Sequence, residues 1–298
     1  MNNITQDDKS QAILRKLAIK KSYNNYVIKW LENDLHDEKT ATALRCCATQ
    51  VGITEVNGIT KIVRANFCRE RICNICAWRR QAKFTAQMFP TLNYISQQYG
   101  YEYVMLTLTI KNVTFENVNE AVNTMLEGYK KLARSKRFKD SFQGVIRSLE
   151  ITYNYKDNSY HPHLHLLCAV EKRYFLSNYV TQQELSFMWK SACNLSYIPV
   201  VHIQKVIDDM AGAVETLKYS LKPTKAKEAL YVMYATLKGR RLVSFSGVFA
   251  YVRKELRLSD FDTILTDDVS RQHKRHYNLY EFDITGGIYK FYKSYVLE

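Results

Sequence analysis

The amino-acid sequence predicts an α+β fold with an antiparallel β-sheet, preceded by a separate cysteine-rich module. Between residues 101 and 222, strand-like and helix-like runs alternate in the order βαββαβα. That order is typical of a ferredoxin-like sandwich, in which helices pack on one face of the sheet. Five cysteines between positions 46 and 76 indicate the module. A length of 298 residues suits one elaborated domain or two small ones.

The region before the predicted sheet contains helical patterns and a hairpin signal. Apolar residues spaced three, four and seven apart predict a helix over about 8–35. Two β-rich runs flank Asn57-Gly58, a strong short-range signal for a β-hairpin. A second helical pattern runs from Asn74 to Tyr99, and Pro90 is expected to kink or divide it.

The elements of the sheet region follow each other in a regular order. Thr181 opens a capping-box pattern that predicts the start of a helix, and Pro223 is expected to stop the last helix. The predicted elements are strand 101–111, helix 116–139, strands 143–155 and 160–170, helix 181–197, strand 198–207 and helix 209–222. Residues 226–298 mix short strands and helices in no clear order.

Composition and charge limit the class of protein. Hydrophobic residues make up 46% and charged residues 24% of the chain, which excludes collagen-like and broadly disordered classes. The formal net charge of +14 favours a polyanionic partner, nucleic acid before membrane. The N-terminus lacks the apolar core of a secretory signal, and no stretch is long enough to span a bilayer. We therefore expect a cytoplasmic protein with reduced cysteines, some of which are metal ligands.

The run His161-Pro-His163-Leu-His165 is the first candidate site. Alternate residues of a strand share a face, so His163 and His165 point the same way and are suited to hold one cation. His161 has the same parity and is expected to support the site. Three histidines on an apolar strand would be costly to bury without a partner, which argues against mere decoration of the strand.

A third ligand follows from the predicted pairing of the two neighbouring strands. A two-residue turn at Asp157-Asn158 places Glu150 opposite His165 and Thr152 opposite His163. Directly opposed side chains are about 5 Å apart at Cβ, so one carboxylate and two imidazoles are expected to cluster on one face. We expect this cluster to hold Mg²⁺ or Mn²⁺.

The predicted last helix of the sheet region carries a second candidate site. At 3.6 residues per turn, Glu215, Tyr219 and Lys222 fall on one stripe and present a carboxylate, a phenol and an ammonium. A phenol can act as a nucleophile. Helix faces of this composition are usually solvated surface. The histidine cluster is the reason to interpret this one as part of an active site.

The cysteine cluster is the third candidate site. Cys68, Cys73 and Cys76, with Cys47 before the hairpin, supply the four soft ligands of a closed structural Zn²⁺ site. Cys47 is preferred to Cys46 because Val51 and Ile53 then continue the inward alternation, but the pattern leaves both open. The alternative, buried reduced thiols without a metal, suits these surroundings poorly because charged residues lie all around.

These patterns divide the chain into four predicted segments. They are an N-terminal helical segment (1–40), a cysteine-rich zinc-binding module with a helix (41–100), the sheet core (101–225) and a C-terminal extension of that core (226–298).

Basic residues and tyrosines support contact with nucleic acid. The predicted DNA-binding residues are Arg69, Arg71, Arg79, Arg80 and Lys218, and further cations occur at 130–139. The chain has 22 tyrosines, and tyrosine with arginine suits stacking on bases and bridging of phosphates. Any single basic run could be a solvated surface, but the runs agree with the net charge.

Several of these motifs together resemble a known family. HPHLHLL resembles the HUH metal motif, LTLTI at 106–110 the family's first motif, and KYSLK at 218–222 its tyrosine motif. With ANFCRERICNICAWRR before the core, the chain resembles the single-tyrosine plasmid rolling-circle replication initiators of Gram-positive bacteria over roughly residues 40–250. Relatives often have Cys-Pro-x-Cys where this chain has Asn74.

The resemblance implies an HUH nuclease core and an endonuclease that nicks one strand at a plasmid double-strand origin, at a hairpin or single-stranded site. It implies that His163 and His165 are metal ligands, Tyr219 is the nucleophile and Glu215 is the base for a terminating water. Lys222 is a further catalytic candidate. A host helicase is an expected partner, no membrane partner is expected, and the oligomeric state stays open.

Two alternatives use the same residues differently. A relaxase or single-strand transposase could share the core, although the carboxylate beside Tyr219 and the cysteine module argue against it. A zinc-containing DNA-binding regulator without an active site is the alternative from another class.

Overall fold

The computed structural model describes residues 6–206, 226–258 and 276–296 and confirms an α+β class with antiparallel sheets. The helices are α1 (Gln6–Asn33), α2 (Glu38–Cys46), α3 (Asn74–Tyr99), α4 (Val118–Arg134), α5 (Lys136–Ser141), α6 (Gln182–Cys193), α7 (Lys227–Leu237) and α8 (Val248–Glu255). The strands are β1 (Gln50–Val56), β2 (Ile59–Ala65), β3 (Glu102–Thr109), β4 (Gly144–Asn154), β5 (Ser159–Val170), β6 (Val201–Val206), β7 (Val243–Gly247), β8 (His276–Asp283) and β9 (Ile288–Val296).

The chain divides into two compact units. The first comprises the residues up to Lys83 together with β8 and β9, and the second runs from Phe84 to Leu258. The predicted C-terminal extension 226–298 thus contributes to both units, with α7, β7 and α8 in the second. The predicted helix 209–222 lies outside the described residues.

The first unit contains a four-stranded sheet in the order β2-β1-β8-β9. The predicted hairpin is present, with Val56 paired to Ile59 across the turn. Asn57 and Gly58 both have positive φ, 51° and 75°, as tight hairpin turns of the primed type require. Leu17 and Leu31 of α1 are fully buried, so this helix supplies much of the core of the unit.

Helix α2 is an element that the sequence patterns did not predict. It begins after Asp37, whose side chain accepts a hydrogen bond from the backbone N–H of Thr40 at 3.0 Å. This N-cap is a recognisable sequence signal. The helix ends directly before Cys47 and so fixes where that thiol lies.

The second unit contains a five-stranded antiparallel sheet in the order β6-β3-β5-β4-β7. In chain order, the elements β3, α4, β4, β5, α6 and β6 follow the split βαβ order expected from the sequence. Leu106 and Leu166 are fully buried in the two central strands. Helices α4 and α6 approach closely where Gly128 meets Cys193.

Two predicted helices differ in detail. The predicted helix 116–139 is interrupted at Ser135, which has extended backbone angles and whose hydroxyl accepts from the N–H of Phe138 to cap α5. In contrast, Pro90 does not divide α3, which runs unbroken through that position. Pro90 is exposed, so its ring lies on the solvent side of the helix.

The turn between β4 and β5 corrects the predicted pairing. Four residues, 155–158, connect the strands, and the last pair is Asn154 with Ser159. Glu150 therefore faces His163, not His165, and His161 faces Thr152. The side chains of Asn154 and Asp157 accept hydrogen bonds from backbone N–H groups two residues ahead, and these local bonds build a longer turn than predicted.

The correction leaves the predicted face intact. The pairing is shifted by two residues, and a two-residue shift keeps every side chain on its original side of the sheet.

Among the helices that the structure describes, none combines the length and apolar character needed to cross a bilayer.

Candidate functional site

Glu150, His163 and His165 come together on one face of the second sheet. One carboxylate oxygen of Glu150, Oε2, lies 2.9 Å from Nε2 of His163 and 3.1 Å from Nε2 of His165. The two imidazole rings are 4.6 Å apart and nearly perpendicular, at 89°. The three side chains are 10–12% exposed, so the cluster is mostly enclosed but still reachable from solvent.

The outer nitrogens of both rings have partners that fix their orientation. Nδ1 of His163 lies 3.1 Å from the backbone carbonyl of His161, which can only accept, so this nitrogen carries the hydrogen. Nδ1 of His165 lies 3.2 Å from the hydroxyl of Thr107 on β3. Such partners are typical of histidines that ligate a metal through the other nitrogen.

This hydrogen-bond pattern suits a cation at the centre of the cluster. In a neutral His163 ring with hydrogen on Nδ1, Nε2 has a lone pair that faces the lone pairs of Glu150 Oε2 at 2.9 Å. A positive charge between them removes this repulsion. One ligand atom from each of the three residues lies within 4.8 Å of the others, and two imidazoles with one carboxylate leave open coordination positions. The residues present therefore fit a divalent cation.

His161 lies beside the cluster and faces a different partner. Its Nδ1 is 2.8 Å from Oδ1 of Asn112, and its ring is 5.3 Å from that of His163. Burial, followed by the nearby His163, lowers the pKa of His161 below its ordinary value, and Glu150 offsets part of this shift. The geometry thus separates His161 from the three candidate ligands.

The cysteine cluster lies in the first unit. Four thiols, those of Cys47, Cys68, Cys73 and Cys76, lie within 4.8 Å of one another. Cys47 is buried and belongs to the cluster, whereas Cys46 is exposed and does not. The sequence left this choice open, and α2 settles it by ending before Cys47.

The distances within the cysteine cluster fit a tetrahedral metal. Three Sγ–Sγ pairs, Cys47–Cys76, Cys68–Cys76 and Cys47–Cys73, are each 3.6 Å apart. Disulfide sulfurs would be about 2 Å apart. Four thiolates around Zn²⁺ at about 2.3 Å place neighbouring sulfurs about 3.8 Å apart. The donor set and its spacing therefore fit Zn²⁺.

Nitrogen donors surround the cysteine sulfurs. The backbone N–H groups of Cys68 and Arg69 point at Cys47 Sγ and Cys76 Sγ, at 3.5 and 3.3 Å. Asn24 of α1 donates to Cys73 Sγ at 3.2 Å, and its carbonyl oxygen accepts from the N–H of Asn74 at 3.0 Å. Donors of this kind stabilise negative charge on sulfur.

The surroundings of the cysteine cluster favour negative charge on Cys73 and place the ammonium of Lys21 nearby. Burial raises the pKa of Cys73, but hydrogen bonds from the neighbouring thiols and from the backbone of Cys76 outweigh it and hold that pKa well below the ordinary value. Lys21 is buried and donates to the carbonyls of Arg45 and Cys47, at 3.0 and 2.6 Å. Burial lowers the pKa of Lys21, and the nearby cysteines oppose that shift.

The predicted DNA-binding residues have different environments. Arg69 is exposed and Arg71 is half-buried, whereas Arg79 and Arg80 are buried. Arg80 donates to the backbone carbonyls of Arg69 and Glu70, in the loop that carries Cys68. Arg80 thus supports the cysteine loop from within. The remaining predicted site residues, Glu215, Lys218, Tyr219 and Lys222, lie outside the described residues.

The sequence patterns missed several residues that support these sites. Thr107 and Asn112 orient the histidines, and Asn24 and Lys21 contact the cysteine cluster. Thr107 has a usable signal, because it alternates with buried residues in a strand next to the histidine strand. Asn24 and Lys21 have none, since their partners lie far along the chain.

Comparisons with known proteins agree with the sequence resemblance. A family model described as a replication protein matches residues 59–290. A "Protein rep" from Bacillus sp is 35% identical over 253 residues, with 74% of this chain and 82% of that protein covered. A "Protein rep" from Streptococcus pneumoniae is 32% identical over 238 residues, covering 75% and 74%. No solved structure gives a significant match.

Proposed function

Because this chain belongs to the replication-protein family, we propose that it starts plasmid rolling-circle replication by nicking one strand of origin DNA. The observation that carries the proposal is the cluster of Glu150, His163 and His165, in which a single carboxylate oxygen faces both imidazoles. Such a ligand set with open positions suits phosphate chemistry better than a structural role.

The cluster would hold the cofactor of the reaction, Mg²⁺ or Mn²⁺, through Glu150 Oε2 and the two Nε2 atoms. When bound there, a divalent cation neutralises charge on the phosphate oxygens of the DNA. The backbone carbonyl of His161 keeps the His163 ring in the tautomer that presents a lone pair to the centre, and the Thr107 hydroxyl orients the ring of His165. These residues hold and orient the ligands without contacting the DNA.

Tyr219 is the proposed nucleophile. Its phenolic oxygen attacks the scissile phosphorus in line, the tyrosine loses its proton, and the bond from phosphorus to the 3′ oxygen breaks. The products are a 5′-phosphotyrosine and a free 3′-OH that can prime synthesis. The phosphodiester energy is conserved in the new bond, so the strand can later be rejoined. Lys222, close to Tyr219 in sequence, is proposed to place positive charge near the reacting phosphate.

Glu215 is the proposed base for the terminating reaction. It precedes Tyr219 by four residues, about one turn of a helix. We propose that it takes a proton from a water that attacks the phosphotyrosine, so that the bond between phosphorus and Tyr219 breaks and the DNA strand is released with a 5′-phosphate.

The four cysteines are proposed to hold a structural Zn²⁺ in the origin-binding part of the protein. Closed sites with four thiolates leave no position for substrate, so this metal is assigned to folding and not to chemistry. Arg69 and Arg71 on the cysteine loop, with Lys218, are the proposed contacts to DNA phosphates.

A covalent-adduct assay tests the nicking proposal. A single-stranded origin oligonucleotide labelled at its 3′ end should become attached to the wild-type protein in the presence of Mg²⁺ or Mn²⁺. Tyr219→Phe should bind the same oligonucleotide and form no adduct, because only the nucleophilic oxygen is lost. Absence of any adduct with the wild-type protein would favour a DNA-binding regulator without nuclease activity.

The same assay separates initiation from termination. Glu215→Ala should still form the adduct, while hydrolytic release slows by about 10²- to 10⁴-fold, the usual contribution of a general base. If Glu215→Ala cannot make the first nick, the carboxylate acts on Tyr219 or on the metal, and the termination role is wrong.

A further inference from the structure

Strand β9, at the edge of the first unit's sheet, exposes a concentration of apolar and aromatic side chains. Phe291 and Tyr292 are 59% and 56% exposed, and Ile288 and Val296 at the two ends are also exposed. Phe291 pairs with Tyr280 and Lys293 pairs with Leu279, so Phe291 and Lys293 lie on opposite faces of the sheet. The exposed ring of Tyr292, between them in the chain, lies 5.5 Å from the ammonium of Lys293. An exposed ring beside a cation is a candidate contact surface.

A β-bulge in β9 leaves one of these rings without a partner on the neighbouring strand. Tyr280 pairs with Phe291 and Leu279 pairs with Lys293, so Tyr292 between them has no cross-strand partner. Bulges re-aim side chains and bend the edge of a sheet, which makes addition of another strand unfavourable. The exposed rings are therefore poorly placed for strand pairing with a second protein chain.

Positive charge lies directly beside the rings. Lys293 Nζ is 4.5 Å from the centre of the Tyr295 ring and 5.5 Å from that of Tyr292. Among the described residues no carboxylate pairs with Lys293, whereas Lys290 is paired with Asp283 at 2.7 Å. Lys293 thus keeps its charge available next to the aromatic surface.

A second cation is connected to the same surface across the sheet. Arg64 of β2 is exposed and donates to the hydroxyl of Tyr277 at 3.0 Å, and the Tyr277 ring stacks on Tyr295 at 4.7 Å and 23°. Gly52 lies between, where a Cβ would come within 2.7 Å of the Tyr277 ring. The lack of a side chain at Gly52 lets the tyrosine pair and Arg64 meet.

We propose that β9, with Arg64, binds single-stranded DNA, with an unpaired base stacking on Tyr292 and phosphates lying near Lys293 and Arg64. Aromatic rings interleaved with cations are the chemistry that recognises unpaired nucleotides without reading their sequence. The identity of the ligand as DNA rests on the proposed function. The surface itself is separate from the histidine cluster and does not depend on nicking.

The test measures binding of a fluorescent oligothymidylate to the full-length protein, without any origin sequence. Tyr292→Ala should weaken binding about tenfold, as loss of one stacking ring typically does. Phe291→Ala, on the opposite face of the sheet, should have a smaller effect. Tyr292→Phe should restore most of the affinity because the ring returns. Tyr292→Ala is expected to fold, since this side chain is exposed and unpaired across the strands.

A substitution of Lys293 and a control substitution of Tyr251 test whether the effect is specific to this surface. Lys293→Gln should reduce the slope of log affinity against log salt by about 0.7, the value for one lost contact to a single strand. Tyr251→Ala, which removes a similarly exposed ring on α8 in the other unit, should leave binding unchanged.

Two outcomes would overturn the proposal. One is wild-type affinity for oligothymidylate in both Tyr292→Ala and Lys293→Gln. The other is a dimer, measured by sedimentation, that Tyr292→Ala dissociates while single-strand binding by the monomer is unchanged; β9 would then be a contact between copies of the chain. Neither outcome bears on adduct formation at the origin, so a failure here is distinguishable from a failure of the nicking proposal.

Discussion

His163 and His165 differ from His161 in what their ring nitrogens face. The first two direct Nε2 at the same oxygen of Glu150, whereas His161 is held by Asn112. Two residues of one short motif are thus ligand candidates, and the third supports them through its backbone carbonyl.

We expect His163→Ala and His165→Ala each to reduce nicking of a single-stranded origin oligonucleotide to an undetectable level, because two ligands would not hold the proposed catalytic cation. Binding of duplex origin DNA should stay nearly unchanged, since phosphate contacts elsewhere carry it. His161→Ala should give a milder loss. Undiminished cleavage by both ligand variants in a metal titration would contradict the assignment.

Thr107 is expected to tune the same site. Thr107→Val removes the hydroxyl beside His165 Nδ1 and keeps the shape of the side chain. Loss of such a partner typically weakens metal binding about 10- to 100-fold, so the concentration of Mn²⁺ needed for half-maximal nicking should rise by that factor. Thr109→Val is the matched control on the same strand, because its hydroxyl bonds to the carbonyl of Val200. An equal effect of both substitutions would rule out a specific role for Thr107.

At the scale of elements, the contact between α4 and α6 depends on one missing methyl group. A Cβ at Gly128 would lie 2.2 Å from Cys193 Sγ and 3.3 Å from the Cα of Cys193. Both distances are shorter than ordinary van der Waals contact. Trp189 of the same helix donates to the carbonyl of Thr109, so α6 is also tied to the strand beside the histidines.

Gly128→Ala should therefore destabilise the protein. Overpacking of this kind costs about 1–3 kcal/mol, which exceeds the gain of about 1 kcal/mol that alanine brings to a helix interior. Urea unfolding measures the difference. Cys193→Ala in the Gly128→Ala background should recover part of the loss, because it removes the clashing sulfur. An additive double mutant would show that the two side chains do not interact.

The strands show why the site could be anticipated although the pairing was wrong. Alternation of polar and apolar residues fixes which side of β5 carries His163 and His165, and this parity survives a two-residue shift. The length of the turn depends on side chains that bond to their own backbone, here those of Asn154 and Asp157. Strand patterns do not contain that information, so Glu150 was placed opposite the wrong histidine.

At the scale of the whole molecule, features built from neighbouring residues are predictable from the sequence, and pairings between distant segments are not. The spacing of the cysteines and the Asn57-Gly58 turn are local, and the structure contains both features as expected. The pairing of β1 with β8 joins segments far apart in the chain, and no local pattern indicates it. The proposed single-strand surface on β9 was missed for the same reason, since Arg64 reaches it only through that pairing.

Removal of the proposed zinc should unfold the first unit before the second. Thiolate ligands should hold Zn²⁺ at one equivalent in protein purified without added metal, as measured by elemental analysis. After treatment with a chelator, hydrogen exchange should rise first in residues 41–80 and only later in β3 and β5. Cys73→Ser should hurt stability and origin binding more than cleavage of single strands. Elemental analysis that finds no zinc in the purified protein would contradict the assignment.

The sheet of the first unit also sets an order for events during synthesis. Gln50 on β1 bonds to Glu281 on β8, 231 residues later. At about 5–20 residues per second, a ribosome takes roughly 10–50 s to cover that distance. Throughout this interval the nascent β1–β2 hairpin lacks its neighbour, and its open edge can pair wrongly. The proposed zinc ligands, Cys47, Cys68, Cys73 and Cys76, all lie in the first quarter of the chain. A zinc ion captured there would hold the hairpin in place until β8 leaves the ribosome.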